Sequence, residues 1–107
     1  MTPDRLFEIL TKYAESQSIQ LNRDKEYVME ILEGLLTNEA RYGYRSCPCR
    51  LAKGIKERDA DIICPCAYRN PDIKEYGSCY CRLYVSEEWN EEKIKRIRVP
   101  ERRPIKE

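Results

Sequence analysis

Six cysteines, all lying between Cys47 and Cys81 of a 107-residue chain, form three pairs with one residue between partners. The pairs are Cys47-Pro48-Cys49, Cys64-Pro65-Cys66 and Cys79-Tyr80-Cys81, separated by fourteen and then twelve residues. Zinc ribbons and fingers mostly place two to four residues between paired cysteines. Thioredoxin-like redox motifs place two. The single intervening residue matches neither. Proline fixes φ near −65° and removes a backbone donor, so each Cys-Pro-Cys is a stiff bend holding two thiols at a set separation. Such a unit can put both sulfurs on a metal centre, or one on the centre and one beside it.

The count narrows the chemistry further. A cubane iron–sulfur cluster takes four cysteine thiolates. Four ligands among six cysteines would leave two thiols, enough for one redox-active disulfide next to the cluster. Spacing alone leaves open which four would ligate. The sequence contains no histidine, which excludes His-ligated zinc and His-based acid–base catalysis within the chain. No apolar run reaches membrane-spanning length. The start, Met1-Thr2-Pro3-Asp4-Arg5, lacks the basic and apolar regions of a signal peptide. A cytoplasmic setting is therefore expected, where six cysteines serve as ligands or catalytic thiols rather than as staples. Glycine-rich phosphate loops and nicotinamide or flavin fingerprints are absent, so electrons are expected from another protein.

The chain is of single-domain length, with 41% apolar and 36% charged residues. So modest a core would gain from a bound cofactor. The first 40 residues read as two helices without cysteine. Thr2 is placed to cap the first, with Pro3 at its first position and Asp4 in its first turn. Leu6, Ile9, Leu10, Tyr13 and Ala14 recur at helical spacing. After a polar link from Ser16 to Asn22, Asn22 is expected to cap the second helix. That helix carries Val28, Ile31, Leu32, Leu35 and Leu36 on one face, and Gly43 marks its end. A short helix is expected from about Leu51 to Asp59, with Leu51, Ala52 and Ile55 inward, and a loop from Pro71 to Gly77. Ser86 should cap a last short helix starting at Glu87, with Trp89 and Ile94 packing back. The predicted fold is mainly α, one small domain over residues 1–99 with about four to five helices. Its loops and helix ends would hold the cluster, and residues 100–107 would be a basic tail made non-helical by Pro100 and Pro104.

Charge is spread unevenly. From Lys93 to Glu107 there are seven Lys/Arg and two Asp/Glu, a net of +5 in a chain whose total is +1. Such a segment is either a solvated face or a dock for an acidic partner. The near-neutral total gives no strong pull toward nucleic acid or a membrane.

The order CPC, CPC, C-x-C resembles the catalytic chain, or beta subunit, of ferredoxin:thioredoxin reductase. The motif resemblance spans roughly Tyr42 to Trp89, a cluster and disulfide region over residues 42–89, and the preceding helices are compatible with that family's helical fold. The resemblance implies that Cys47, Cys64, Cys66 and Cys79 ligate a [4Fe-4S] cluster. It implies that Cys49 and Cys81 form the active disulfide, Cys49 attacking the target and Cys81 resolving the mixed disulfide. A ferredoxin-like donor, a thioredoxin- or glutaredoxin-like protein substrate and a small second subunit are the partners it suggests. Two departures stand out. The first inter-pair linker is shorter and the second longer than in the plant-type form. Tyr80 also occupies the position where the family usually has histidine, and a phenol with a pKa near 10 is a poor proton shuttle near neutrality.

Other residues flank the motifs. Arg45, Arg50, Arg69 and Arg82 could offset thiolate or cluster charge. Tyr42, Tyr44, Tyr68, Tyr76 and Tyr84 could shield a cluster from water. Asp59 and Asp61 read as helix-end and loop residues rather than a carboxylate pair. Competing readings are an interaction module binding zinc through four cysteines, an electron-transfer iron–sulfur protein without disulfide chemistry, and a disulfide-stapled small protein. The last is disfavoured because cysteines two apart rarely pair with each other.

Overall fold

Thr2 starts the first helix, α1 (Pro3–Ser16), by accepting the Arg5 N–H on its hydroxyl at 3.2 Å. The computed structural model describes residues 1–103. Pro3 stands at the first helical position, where its missing N–H costs nothing, and Asp4 sits favourably at the positive end of the helix dipole. Helix α2 (Lys25–Tyr42) follows and ends on Gly43, whose φ of +86° lets its N–H close on the Glu39 carbonyl at 2.8 Å. Leu6, Leu10 and Ala14 of α1 meet Val28, Ile31, Leu32 and Leu35 of α2 in one buried cluster. Each such leucine contributes about 1.5–3 kcal/mol relative to exposure. Ile9, Tyr13 and Leu36 lie at its rim.

The same cluster takes in Ile62, Leu83, Tyr84, Cys47, Cys79 and Cys81. The two long helices are thus the floor on which the cysteine loops rest. Three short helices complete the described residues: α3 (Lys56–Asp59), α4 (Arg69–Tyr76) and α5 (Glu87–Asn90). The fold is mainly helical, as expected. Ser86 caps α5 by accepting the Trp89 N–H, and Trp89 is buried. Ile94 packs back against Gly77 and is 40% exposed.

Several local expectations are corrected. Asp24, not Asn22, caps α2. Asn22 is held elsewhere: its N–H donates to the Leu83 carbonyl and its side-chain amide to the Arg82 carbonyl. The link before it contains a two-residue strand, β1 (Gln20–Leu21), antiparallel to β2 (Tyr84–Val85), with Gln20 opposite Val85. Residues 51–55 are not helical. Gly54 takes φ +79°, and Asp59 binds the N–H groups of Lys53 and Gly54, so the helix begins only at Lys56 and runs on into a 3-10 turn, Ala60–Ile62. Leu51 and Ile55 accordingly face solvent, at 90% and 47% exposure, rather than the core. The expected loop from Pro71 to Gly77 is helix α4 up to Tyr76. Pro71 falls in its first turn, where a proline is tolerated, and Gly77 ends it at φ +82°.

The basic segment at the C-terminus meets the chain's own acids. Arg102 pairs with buried Asp72 at 2.8 Å and with Glu75, while Arg103 pairs with Asp61 at 2.9 Å. The remainder of the expected tail, Pro104 included, lies outside the described residues.

Candidate metal and thiol site

Three turns build the site. The Arg50 N–H donates to the Cys47 carbonyl at 3.2 Å, Arg69 to Cys66 at 3.2 Å and Arg82 to Cys79 at 3.0 Å. Each bond joins residue i to i+3, so the first and third Cys-x-Cys pairs each lie inside one tight turn, whereas the second leads into its own. Long-range backbone bonds then draw the turns together. Cys47 N–H donates to Ile62 O at 2.8 Å and Cys64 N–H to Arg45 O at 2.7 Å, which sets the first pair beside the second. Cys79 N–H donates to Tyr84 O at 2.9 Å and fixes the third pair on β2.

The outcome is one cavity lined by Cys47, Cys64, Cys66, Cys79 and Cys81, closed by Tyr84, Arg50, Arg69 and Tyr80. Cys49 does not line it. It is exposed and opens onto a neighbouring cleft with Tyr27, Tyr80, Arg82 and Arg98. The sulfurs of Cys47, Cys49 and Cys81 nevertheless lie within 4.8 Å of one another, and Cys79 Sγ is 3.8 Å from Cys81 Sγ. Cys47 therefore belongs both to the cavity and to a compact three-sulfur group.

Of the arginines singled out by sequence, Arg50 and Arg69 reach the cavity and Arg82 the Cys49 cleft. Arg45 instead pairs with Glu39 at 3.5 Å. Among the tyrosines, Tyr84 lines the cavity and Tyr68 lies under the Arg50 guanidinium. Tyr44 is spent on Asp59, well inside the loop. Asp59 is fully buried, which its reading as a helix-end residue did not anticipate.

Electrostatics suit a positively charged guest. Burial pushes the Cys64 thiol up, with the neighbouring Cys79 and Cys47 adding to the effect. Burial likewise raises Cys66, against the pull of Arg50. Cys47 moves the other way, to about 3, because Cys49 and Cys81 donate to its sulfur and Arg50 lies close. So many buried thiols cannot all ionise side by side unless a cation lies between them. Sulfur is also the donor that soft metals and iron–sulfur clusters select, and the five sulfurs around the cavity are enough for the four thiolates of a cubane cluster. The donor set fits an iron–sulfur cluster.

Two further residues escape sequence reasoning. Tyr27, on α2, donates from its hydroxyl to the Cys81 carbonyl at 2.5 Å. Glu101 accepts the fork of Arg50 at 2.7 and 2.8 Å. Neither lies near a cysteine in sequence, and no local pattern marks either of them. No helix among the described residues is long and apolar enough to cross a membrane.

Comparison with known proteins agrees with this site. The family model of the ferredoxin thioredoxin reductase catalytic beta chain matches residues 3–103. No curated protein matches the chain. The chain belongs to the ferredoxin thioredoxin reductase catalytic beta chain family, a family of [4Fe-4S] oxidoreductases.

Proposed function

We propose that this family member reduces the disulfide of a thioredoxin- or glutaredoxin-like protein, with single electrons from a ferredoxin-like donor. In this reading Cys47, Cys64, Cys66 and Cys79 hold the [4Fe-4S] cluster, and Cys49 and Cys81 are the redox pair. The observation that carries it is the division of the six cysteines. The four assigned ligands share one cavity with Cys81 at its edge, and Cys49 alone is exposed on an outer cleft while its sulfur stays within 4.8 Å of Cys81 Sγ. An attacking thiol must be reachable by a protein substrate, and a resolving thiol must be within closing distance of it.

The thiol chemistry balances on these two residues. The Cys49 thiolate attacks one sulfur of the target disulfide, forming a mixed disulfide and releasing the other target sulfur, which takes up a proton. Cys81 loses its proton and attacks Cys49 Sγ. The Cys49–Cys81 disulfide closes and the second target thiol leaves. Two electrons and two protons then restore the dithiol. When bound, the cluster supplies one-electron storage, which lets a one-electron donor serve two-electron thiol chemistry. Around these steps, Tyr27 holds the Cys81 backbone on α2, and Arg82 and Arg98 line the cleft in front of Cys49 with positive charge. That charge suits a target with an acidic rim, while Cys49 itself is pushed up to about 11 because it donates to Cys47, so it must give up its proton as it attacks.

A small second subunit and a cytoplasmic setting go with this reading. A second reading, a single metal on Cys47, Cys49 and Cys81, is favoured by the compactness of those three sulfurs. Iron and acid-labile sulfide, measured per chain on anaerobically purified protein together with its absorption spectrum, separate the two. About four of each, with a brown spectrum, support the reductase. Zinc without sulfide supports the three-sulfur site and defeats the reductase.

A further inference from the structure

Arg50 is buried to a degree that arginine reaches only when paired, with 2% of its side chain exposed. Its Nε and Nη2 donate to the two carboxylate oxygens of Glu101 at 2.7 and 2.8 Å. This bidentate grip leaves Nη1 as the edge of the fork turned inward, 3.5 Å from Cys66 Sγ. Aromatic rings cover the guanidinium, with Tyr80 at 4.4 Å and Tyr68 at 5.2 Å from its central carbon.

The covering groups are themselves fixed. The Tyr68 hydroxyl donates to Asp61 at 2.6 Å, Arg103 binds the same carboxylate at 2.9 Å, and the Arg103 N–H donates to Glu101 at 2.9 Å. A planar fork held on one edge by carboxylate and covered by rings has little freedom to turn its remaining N–H away from the sulfur.

We infer that Arg50 is a positioning residue for the cluster, donating a charge-assisted hydrogen bond to Cys66 and thereby raising the cluster's reduction potential, with Glu101 and Tyr80 holding it in place. The inference rests on the assignment of Cys66 as a ligand. A donor on a ligating sulfur stabilises the more electron-rich, reduced state. It also gives Tyr80 a task that needs no proton transfer, since its ring lies against the arginine that addresses the cluster. A residue that merely anchored the C-terminal segment would use the Glu101 edge of the fork alone.

The test is a redox titration of the cluster in the holo-protein and its variants, each checked for iron and sulfide. In Arg50→Gln, reduction is expected to become at least tenfold harder, a shift of about 59 mV to more negative potential for one electron. Arg50→Lys keeps the charge but cannot serve Glu101 and Cys66 together, so a smaller negative shift is expected. It also covers the case in which Arg50→Gln does not assemble. A lower melting temperature with the potential of the parent, in either cluster-loaded variant, marks a structural anchor and overturns the inference alone. Parent protein without iron and sulfide overturns the proposed function and the inference with it.

Discussion

The Tyr44 hydroxyl donates to Asp59 Oδ2 at 2.5 Å, and both residues are buried. The same carboxylate accepts the N–H of Lys53 at 3.1 Å and of Gly54 at 3.0 Å. One side chain thus shapes the loop that runs from the first cysteine pair toward the second. Asp59→Asn replaces an acceptor-only group by one that must turn an NH2 toward these donors. A loss of about 2–4 kcal/mol in folding free energy is expected, read as a fall in the midpoint of chemical unfolding at pH 7. A change under about 0.5 kcal/mol, the range of ordinary surface substitutions, would contradict this role.

Acid should find the same residue. Burial alone would raise the Asp59 carboxyl, but the bonds from Tyr44, Lys53 and Gly54 outweigh it and hold its pKa below the ordinary value. A carboxyl depressed in the folded state binds fewer protons there than in the unfolded chain. Its contribution is therefore complete above the unfolded pKa of about 3.9 and is lost as pH falls toward the folded value. Asp61, also depressed although burial opposes it, through Tyr68 and Arg103, acts in the same direction. Stability measured from pH 6 downward should fall gently, because the depressed Cys47 thiol acts in the same direction, and then more steeply below about pH 4 as the two carboxyls protonate. In Asp59→Asn the fall should be shallower, and an unchanged slope would rule out Asp59 as a source of it.

What could be read in the sequence was whatever short-range rules decide. Thr2, Pro3 and the Leu6–Leu10–Ala14 stripe specify α1 within its own length, and Gly43 ends α2 by a local backbone requirement. The three Cys-x-Cys pairs announced a sulfur site by count and spacing. Contacts across the chain carried no such mark. Glu101 meets Arg50 across 51 positions and Tyr27 meets Cys81 across 54. The loop at 51–55 was misread as helix because Leu51, Ala52 and Ile55 have helical spacing, whereas the Asp59 carboxylate takes up the N–H groups there. The segment from Pro71 to Gly77 is helical up to Tyr76 rather than the expected loop, since a proline in a first turn is compatible with a helix.

The unequal exposure of the redox pair leads to an asymmetric pair of variants. Cys49 is exposed, whereas Cys81 is buried with its carbonyl held by Tyr27. Cys49→Ser should abolish reduction of the target disulfide and leave iron and sulfide content intact. Cys81→Ser keeps the attacking thiol but lacks the one that resolves, so it should accumulate a mixed disulfide through Cys49, detected by mass spectrometry of non-reduced protein. If Cys49→Ser reduces the target disulfide at the parent rate, Cys49 is not the attacking thiol and the assigned redox pair is wrong.

A helix position far from the cysteines in sequence should control the first pair. Gly34 lies within α2, where alanine would favour helix by about 0.5–1 kcal/mol. A Cβ built there would come within 2.8 Å of Pro48 Cβ, closer than two carbons approach. Pro48 is a rigid ring between Cys47 and Cys49, so the strain cannot be relieved by turning a flexible side chain and must move the turn or the helix. Gly34→Ala is therefore expected to lower stability by about 1–3 kcal/mol despite its better helix propensity. Cys49 should also be displaced relative to Cys81, with a slower disulfide reduction at unchanged iron content. Unfolding and turnover measured on the same preparation test both halves. A gain in stability would mean that α2 yields easily, and that the backbone approach at Gly34 does not set the geometry of the first Cys-Pro-Cys turn.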